Sequence, residues 1–134
     1  MSVVLDASVA LAWLLPDEQD DRADAVLDEV LADGGVISPL FELEVGNILV
    51  VKQRRKDLTG AQVSQAIDLL FSLPLEPLEV DLDLRQVVSL AQAHGLTSYD
   101  ASYLNTAVVL DLPLATLDGK LRAAAVTEGV TLFA

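Results

Sequence analysis

Four acidic side chains stand at places in the sequence where their carboxylates could carry out metal-assisted chemistry. Asp6 directly follows the first apolar run of the chain, and Asp118 directly follows an apolar run near its end. Asp100 falls in the first turn of a predicted helix that leads into the second of these runs, and Glu44 lies in the first half of another. Working sites of parallel sheets lie beyond the carboxyl ends of the strands, so we expect these acids to meet at one edge.

Carboxylates gathered in this way would repel one another, and each unit of pKa displacement corresponds to about 1.4 kcal/mol. A divalent cation would relieve the repulsion. Mg²⁺ and Mn²⁺ are the natural candidates, because both favour oxygen ligands and Mg²⁺ keeps several of its waters. A metal-bound water can lose a proton and attack phosphorus while a cation neutralises the leaving oxygen. The sequence therefore predicts catalytic, metal-binding carboxylates at Asp6, Glu44, Asp100 and Asp118.

Three polar residues lie close to these acids in the sequence and are predicted to support them. Ser8 comes two residues after the first acid, and Thr116 comes two residues before the last. Asn47 follows Glu44 by three residues and so shares its helix face. Hydroxyl and amide groups at these places could orient a metal ligand or a water molecule.

Each acid taken alone also has a purely structural explanation. The first and last acids could simply cap the helices that follow them, and Thr97 with Asp100 has capping-box spacing. Glu44 could be an ordinary surface residue, because Glu42 lies two positions away and faces another direction. The four acids as a set, assigned to one edge of one sheet, are harder to explain in this way.

Short apolar runs alternate with helical periodicity along the chain, which favours an α/β fold with a mostly parallel sheet. The length of 134 residues predicts a single domain, residues 1–134. The pattern predicts strands at residues 2–5, 35–37, 75–80, 114–116 and 130–132. It predicts helices at about residues 7–15, 18–32, 39–55, 60–71, 82–93, 98–110 and 118–125.

Composition limits the classes of protein that this chain can be. A hydrophobic fraction of 52% is too high for a disordered acidic tail. The chain has no Cys, which excludes disulfides, thiolate metal sites and cysteine nucleophiles, and its single His94 makes a zinc site improbable. No uncharged stretch reaches the roughly 18 residues that a membrane span needs, and no basic leader segment precedes the first apolar run. We expect a cytoplasmic protein without membrane contact.

The formal net charge of −13 argues against a conventional nucleic-acid-binding protein, which normally carries a basic surface. The charge is unevenly distributed, because a basic run at residues 52–56 contrasts with an acidic stretch at residues 17–33. Each run is expected to be a solvated helix face. An acidic surface also suits a basic protein partner or a bound divalent cation.

At the acidic residues the sequence resembles PIN-domain proteins, and among them the VapC toxins of type II toxin–antitoxin systems. The resemblance extends from Val3 to Leu132 and is carried by four segments in a fixed order: Asp6-Ala7-Ser8 after an apolar strand, Glu44-Val45-Gly46-Asn47 in a helix, Ser98-Tyr99-Asp100-Ala101-Ser102-Tyr103-Leu104, and Leu114-Ala115-Thr116-Leu117-Asp118 followed by Leu121. Each segment alone is weak evidence for this family, whereas the four segments in this order and spacing are fairly specific for it.

The resemblance implies a PIN-like three-layer fold with a central sheet of four to five strands. It implies a Mg²⁺- or Mn²⁺-dependent endoribonuclease whose acidic cluster corresponds to Asp6, Glu44, Asp100 and Asp118. It also implies an RNA substrate, a homodimer and a cognate VapB-like antitoxin that neutralises the toxin. Some relatives carry a further acid just after the fourth position, where this chain has Gly119-Lys120, so the number of metal ions stays open.

Two other classes of function remain as alternatives. A catalytically inactive PIN-type module would bind only protein or RNA, although its usual mark is a lost acid. A receiver-like phosphorylation domain would also gather acids at strand ends, but it would need two adjacent acids after the first strand, and Ala7 follows the first acid here. Trp13, Tyr99 and Tyr103 could stack on bases, with core or dimer packing as the default expectation.

Overall fold

The structure, a computed structural model, describes residues 2–78 and 81–134. Within these residues the strands are β1 (Val3–Leu5), β2 (Gly35–Ile37), β3 (Leu75–Pro77) and β4 (Leu114–Ala115). The α-helices are α1 (Ala7–Leu14), α2 (Asp21–Asp33), α3 (Phe41–Arg54), α4 (Gly60–Phe71), α5 (Leu84–His94), α6 (Ser98–Leu110) and α7 (Gly119–Thr127).

The strands form one parallel sheet in the order β3-β2-β1-β4. Val3 pairs with Gly35 on one side of β1, and Val4 pairs with Leu114 on the other. Because parallel neighbours need crossover connections, helices separate the strands along the chain and flank the sheet. The predicted α/β class with a PIN-like parallel central sheet is confirmed.

The sheet is smaller than the longest version that the sequence predicted. Residues 130–132 do not form a fifth strand, and this segment contributes one isolated parallel bridge between Leu114 and Leu132. The strand β4, with which this segment pairs, is two residues long, so the pairing between them stays short. The third predicted strand is observed over Leu75–Pro77, while residues 79 and 80 lie outside the described residues.

The strand β1 is the centre of the core. Val3, Val4 and Leu5 are fully buried because helices cover both faces of a parallel sheet, which explains the uninterrupted apolar run in the sequence. Burying side chains of this size contributes roughly 1.5–3 kcal/mol each. On one side of the core, the rings of Phe41 and Tyr103 meet edge to face with centroids 6.5 Å apart, which fixes α3 against α6.

Four helices, α2, α3, α5 and α7, begin one to three residues later than the sequence predicted, and side-chain capping explains every one of these starts except that of α3. Residues 16–18 form a 3₁₀ turn, and α2 starts only at Asp21 because the side chain of Asp20 accepts a hydrogen bond from the Arg22 N–H at 2.8 Å. The helix α3 starts at Phe41, where its N-cap residue Leu40 makes no side-chain capping bond.

The strand order creates a crevice between β1 and β4. From β1 the chain continues to β2 on one side of the sheet, whereas β4 pairs on the other side, so the connections diverge at this point. In open parallel sheets such a divergence leaves a cleft beyond the carboxyl ends of the strands. Asp6 and Asp118 both follow strands that end at this cleft. None of the described helices is both long and apolar enough to cross a lipid bilayer.

Candidate active site

Asp6 caps α1 and is the most buried acid of the cleft, with only 3% of its surface exposed. Its Oδ1 accepts hydrogen bonds from the Ser8 hydroxyl at 2.6 Å and the Val9 N–H at 3.2 Å, and its Oδ2 accepts one from the Thr116 hydroxyl. Burial raises the pKa of Asp6 to about 6, although the bonds from Ser8 and Thr116 oppose the rise and the charge of Asp100 adds to it. Both oxygens are therefore held in fixed directions.

Two hydroxyl groups connect the end of β1 to the end of β4. The Ser8 hydroxyl oxygen also accepts a hydrogen bond from the Leu117 N–H at 2.9 Å. The Thr116 hydroxyl oxygen likewise accepts one from the Asp118 N–H at 3.0 Å. Each hydroxyl thus donates to Asp6 and accepts from the loop before α7, so the supporting roles predicted for Ser8 and Thr116 have a direct geometric basis.

Asp118 caps α7, and its Oδ1 accepts a hydrogen bond from the Lys120 N–H at 3.1 Å. The side chain is half-buried, and the structural explanation offered by the sequence is therefore true of this residue. Capping with one oxygen leaves the second carboxylate oxygen available to a ligand. Arg122 reinforces the same loop, because its guanidinium donates to the Thr116 carbonyl at 2.9 Å.

Asp100 is half-buried in the first turn of α6 and is electrostatically central to the cluster. Partial burial raises its pKa, and the charges of Glu44 and Asp118 raise it further. Asp6 in turn responds to the charge of Asp100. Asp100 therefore lies close enough to Asp6, Glu44 and Asp118 for their charges to interact, although the four acids come from separate helix starts or helix faces.

Glu44 is bonded to Tyr103, a residue that was expected from the sequence to pack in the core or a dimer, or to stack on bases. Its Oε2 accepts a hydrogen bond from the hydroxyl of Tyr103, whose ring is fully buried. Burial and the charge of Glu44 raise the pKa of this phenol, so Tyr103 stays protonated and keeps donating. Tyr103 follows Asp100 by three residues and lies on the same helix face, a spacing that could have revealed it.

Glu42 behaves differently from Glu44, since its side chain is exposed on another face of α3. Asn47 is exposed and lines a cavity together with Glu44. Of the aromatic residues, Tyr103 is buried and Trp13 is partly buried, with its indole N–H donating to the Ala23 carbonyl at 2.7 Å. Tyr99 is 57% exposed.

The donor set suits a hard divalent cation, because it consists of carboxylate oxygens with unshared lone pairs. Asp6, Glu44, Asp100 and Asp118 are the side chains that could hold such an ion. In the part of the chain that the structure describes, no three acidic or imidazole side chains already lie together in a metal-binding arrangement. The charge of Asp100 acts on Asp6, and the charges of Glu44 and Asp118 act on Asp100, although the side chains are not arranged as metal ligands.

Comparisons with known proteins agree with this architecture. The PIN domain family matches residues 3–126. Ribonuclease VapC3 of Pyrobaculum aerophilum is 31% identical over 123 residues, which cover 90% of this chain and 92% of that protein. The crystal structure of PAE2754 from the same organism superimposes with a TM-score of 0.71 at 30% identity, over 92% of this chain and 87% of that one.

FitAcB from Neisseria gonorrhoeae superimposes with a TM-score of 0.67 at 23% identity, over 100% of this chain and 97% of that one, and this likeness concerns the fold. The family match spans the cleft from Asp6 to Asp118 and nearly the whole length of the sheet and its helices. The chain therefore belongs to the PIN domain family, as a protein of VapC type.

Proposed function

We propose that this protein is a metal-dependent endoribonuclease that hydrolyses phosphodiester bonds in RNA, with Mg²⁺ or Mn²⁺ as its cofactor. The observation that carries the proposal is the gathering of four acids at one edge of the sheet, where the charge of Asp100 acts on Asp6 and the charges of Glu44 and Asp118 act on Asp100. Within the part of the chain that the structure describes, none of the four carboxylates forms an ion pair with a basic side chain, and such a cluster is costly in a folded protein unless a cation neutralises it. The similarity to a ribonuclease of VapC type supports RNA as the substrate.

Each side chain of the cleft has a separate task in this proposal. Asp6, Glu44, Asp100 and Asp118 would hold the ion, which supplies an activated water and neutralises the charge that develops at phosphorus. Ser8 and Thr116 fix both oxygens of Asp6. Tyr103 fixes one oxygen of Glu44 and leaves the other free.

The same similarity supports a biological role as the toxin of a VapBC-type pair. In this role the protein acts in the cytoplasm as a homodimer, and a cognate VapB-like antitoxin inhibits it. The acidic cleft suits inhibition by a basic side chain of the partner, because such a group would occupy the place of the cation.

The test is RNA cleavage by the purified protein. We expect a single-stranded RNA to be cut with Mg²⁺ or Mn²⁺, the reaction to stop with a chelator, and activity to disappear in Asp6→Asn and Asp100→Asn. The matched control is Asp28→Asn, which removes an exposed acid of α2 and should cleave normally. Persistent cleavage in either cleft variant contradicts the proposal, and RNA binding without cleavage in the wild type would favour a non-catalytic PIN module.

A further inference from the structure

A cavity of about 480 Å³ lies directly beside the acidic cleft, between α3 and the start of α6. Its size is within the range of small-molecule binding pockets, roughly 300–1,000 Å³. Its walls are mostly apolar and carry the polar groups of Glu44, Asn47 and the Tyr99 hydroxyl. The lining residues are Leu40, Leu43, Glu44, Asn47, Ile48 and Tyr99. Glu44 belongs both to this cavity and to the acid cluster, so an occupant of the cavity adjoins the reacting centre.

Two large apolar side chains of the cavity are unusually accessible. Leu43 on α3 is 74% exposed, and Tyr99 on α6 is 57% exposed. Tyr99 is the residue immediately before Asp100, so its ring and the central acid of the cluster share one helical turn. An exposed aromatic ring and an exposed aliphatic side chain on two different helices offer the two faces between which a flat group can be held.

The charge and the polar groups of the cavity limit the classes of molecule that can bind in it. Glu44 lines the cavity and no Lys or Arg does, which disfavours a phosphate or an acidic peptide there. The Asn47 side chain offers one amide donor pair and one carbonyl acceptor, a combination that suits the edge of a nucleobase. A nucleobase is uncharged, flat and attached to a phosphodiester, so it can enter this cavity while its phosphate stays at the acids.

We propose that this cavity is a nucleobase subsite, in which Tyr99 stacks on a base next to the cleaved phosphodiester and Asn47 contacts the edge of that base. The inference rests on the proposed ribonuclease function and adds the part of the site that grips the substrate. Stacking on an aromatic side chain tolerates every base, whereas the amide of Asn47 provides a preference among bases. Tyr99 is a binding residue in this account and takes no part in the chemical step.

The experiment measures KM and kcat for a 12-nucleotide single-stranded RNA of mixed sequence and for copies with one abasic nucleotide on either side of the cleaved bond. We expect Tyr99→Ala to raise KM for the intact RNA on the order of tenfold with kcat little changed. Tyr99→Phe keeps the stacking face and should behave as the wild type. On the RNA that lacks the relevant base, wild type and Tyr99→Ala should have similar KM values.

The matched control is Phe71→Ala, which removes an aromatic side chain that is 69% exposed at the end of α4, shortly before the amino end of β3 and so at the opposite edge of the sheet. This variant should leave KM unchanged. If Tyr99→Ala raises KM equally for the intact and the abasic RNA, the proposed subsite is overturned. An unchanged KM of this variant for the intact RNA overturns it as well.

Two other occupants would give distinct results. A change of oligomeric state in Tyr99→Ala, with normal KM for RNA, would assign the cavity to a second copy of the chain and overturn the nucleobase subsite. If Tyr99→Ala has a normal KM for RNA but is no longer inhibited by the VapB-like antitoxin, the cavity binds a peptide of that partner. This result would also overturn the nucleobase subsite. If the wild type does not cleave RNA, the ribonuclease proposal itself is overturned. If the wild type cleaves RNA and Tyr99→Ala does not change KM, only the nucleobase subsite is overturned.

Discussion

Asp6 combines two properties that normally oppose each other in a folded protein. The carboxyl group is almost completely buried, yet three hydrogen-bond donors point at its oxygens as they would at a carboxylate. The donors recover only part of the desolvation cost, and its pKa is therefore raised to about 6. In the metal-free protein this residue stores unfavourable energy that a bound cation would release.

The pH dependence of stability follows from this shift. Because the folded-state pKa of about 6 lies above the ordinary value of 3.8, the native protein binds the extra proton between about pH 4 and pH 6. The contribution of Asp6 to stability is therefore greatest below pH 4, falls as the pH rises through this window, and is fully lost above about pH 6. Across this window the contribution of Asp6 to the free energy of unfolding falls by about 3 kcal/mol.

We expect Asp6→Asn to remove this dependence. Urea unfolding of both proteins in metal-free buffer between pH 4 and pH 8 measures it, and the difference between wild type and variant cancels the other titrating groups. The wild type should lose stability relative to the variant as the pH rises. A difference that stays constant with pH would show that Asp6 titrates in its ordinary range.

Glu44 and Glu42 form a natural pair for testing which acid of α3 serves the cleft. Glu44 is bonded to the buried Tyr103, whereas Glu42 is exposed to solvent. We expect Glu44→Gln to weaken Mn²⁺ binding about 10- to 100-fold by calorimetry, and Glu42→Gln to bind as the wild type. The opposite ranking would mean that the cluster uses the other face of the helix.

At the scale of elements, the structural explanation that the sequence offered for the strand-end acids is confirmed, and it is compatible with the proposed metal-binding role. Asp6 and Asp118 cap helices, as their position before a helix predicted, and both also interact electrostatically with Asp100 of α6. The backbone N–H groups at a helix start donate to a capping carboxylate and so fix its orientation. The structural role and the proposed chemical role therefore support each other.

The helices and strands that the sequence predicted well have local signals at their ends. The strand β2 lies between Gly34 and Ser38, and α6 begins after Thr97, whose side chain accepts from the Asp100 N–H; both elements match the prediction at both ends. The contacts of the site depend on tertiary packing, because Thr116 lies 110 residues from Asp6 and Tyr103 lies 59 residues from Glu44. Local sequence contains no information on such pairs.

Two glycines should respond in opposite ways to the same substitution. A Cβ on Gly35 would lie 2.9 Å from Cδ2 of Leu75 and 3.2 Å from Cδ1 of Leu5, so Gly35→Ala crowds the contact of β2 with the core. A Cβ on Gly46, inside α3, would meet no atom within 4 Å. We expect Gly35→Ala to destabilise and Gly46→Ala to stabilise, each by about 1 kcal/mol.

Chemical denaturation of the two variants measures both effects. Overpacking accounts for the first sign, and the better helix propensity of Ala accounts for the second. Equal effects of the same sign would show that backbone entropy, and not local space, decides the response at Gly35.

At the scale of the whole molecule, the net charge of −13 and the acidic cleft act in the same direction. Both attract cations and repel RNA phosphates, so the proposed substrate approaches an unfavourable surface unless divalent ions screen it. The scarcity of Lys and Arg also makes the apolar cavity beside Glu44 more important for holding RNA, because few positive side chains are available to bind its backbone.

A divalent ion should stabilise the folded chain because the unfolded chain has no preformed site. We expect saturating Mg²⁺ to raise the melting temperature, by an amount that corresponds to about 3 kcal/mol at a hundredfold excess over the dissociation constant. Differential scanning fluorimetry at matched ionic strength measures the shift. Asp100→Asn should lose it and Asp28→Asn should keep it; equal shifts in both would indicate general screening of surface charge.

The pairing of β1 with β4 also determines when the acidic cleft can form during synthesis of the chain. The first and last acids of the cleft are brought together by strands from opposite ends of the polypeptide, and the hydroxyl that orients Asp6 comes from the later one. A chain still being synthesised, or cut short by a premature stop codon before β4, lacks both Thr116 and Asp118. The proposed ribonuclease activity would therefore require the finished polypeptide, because a shorter product lacks part of the acidic cluster.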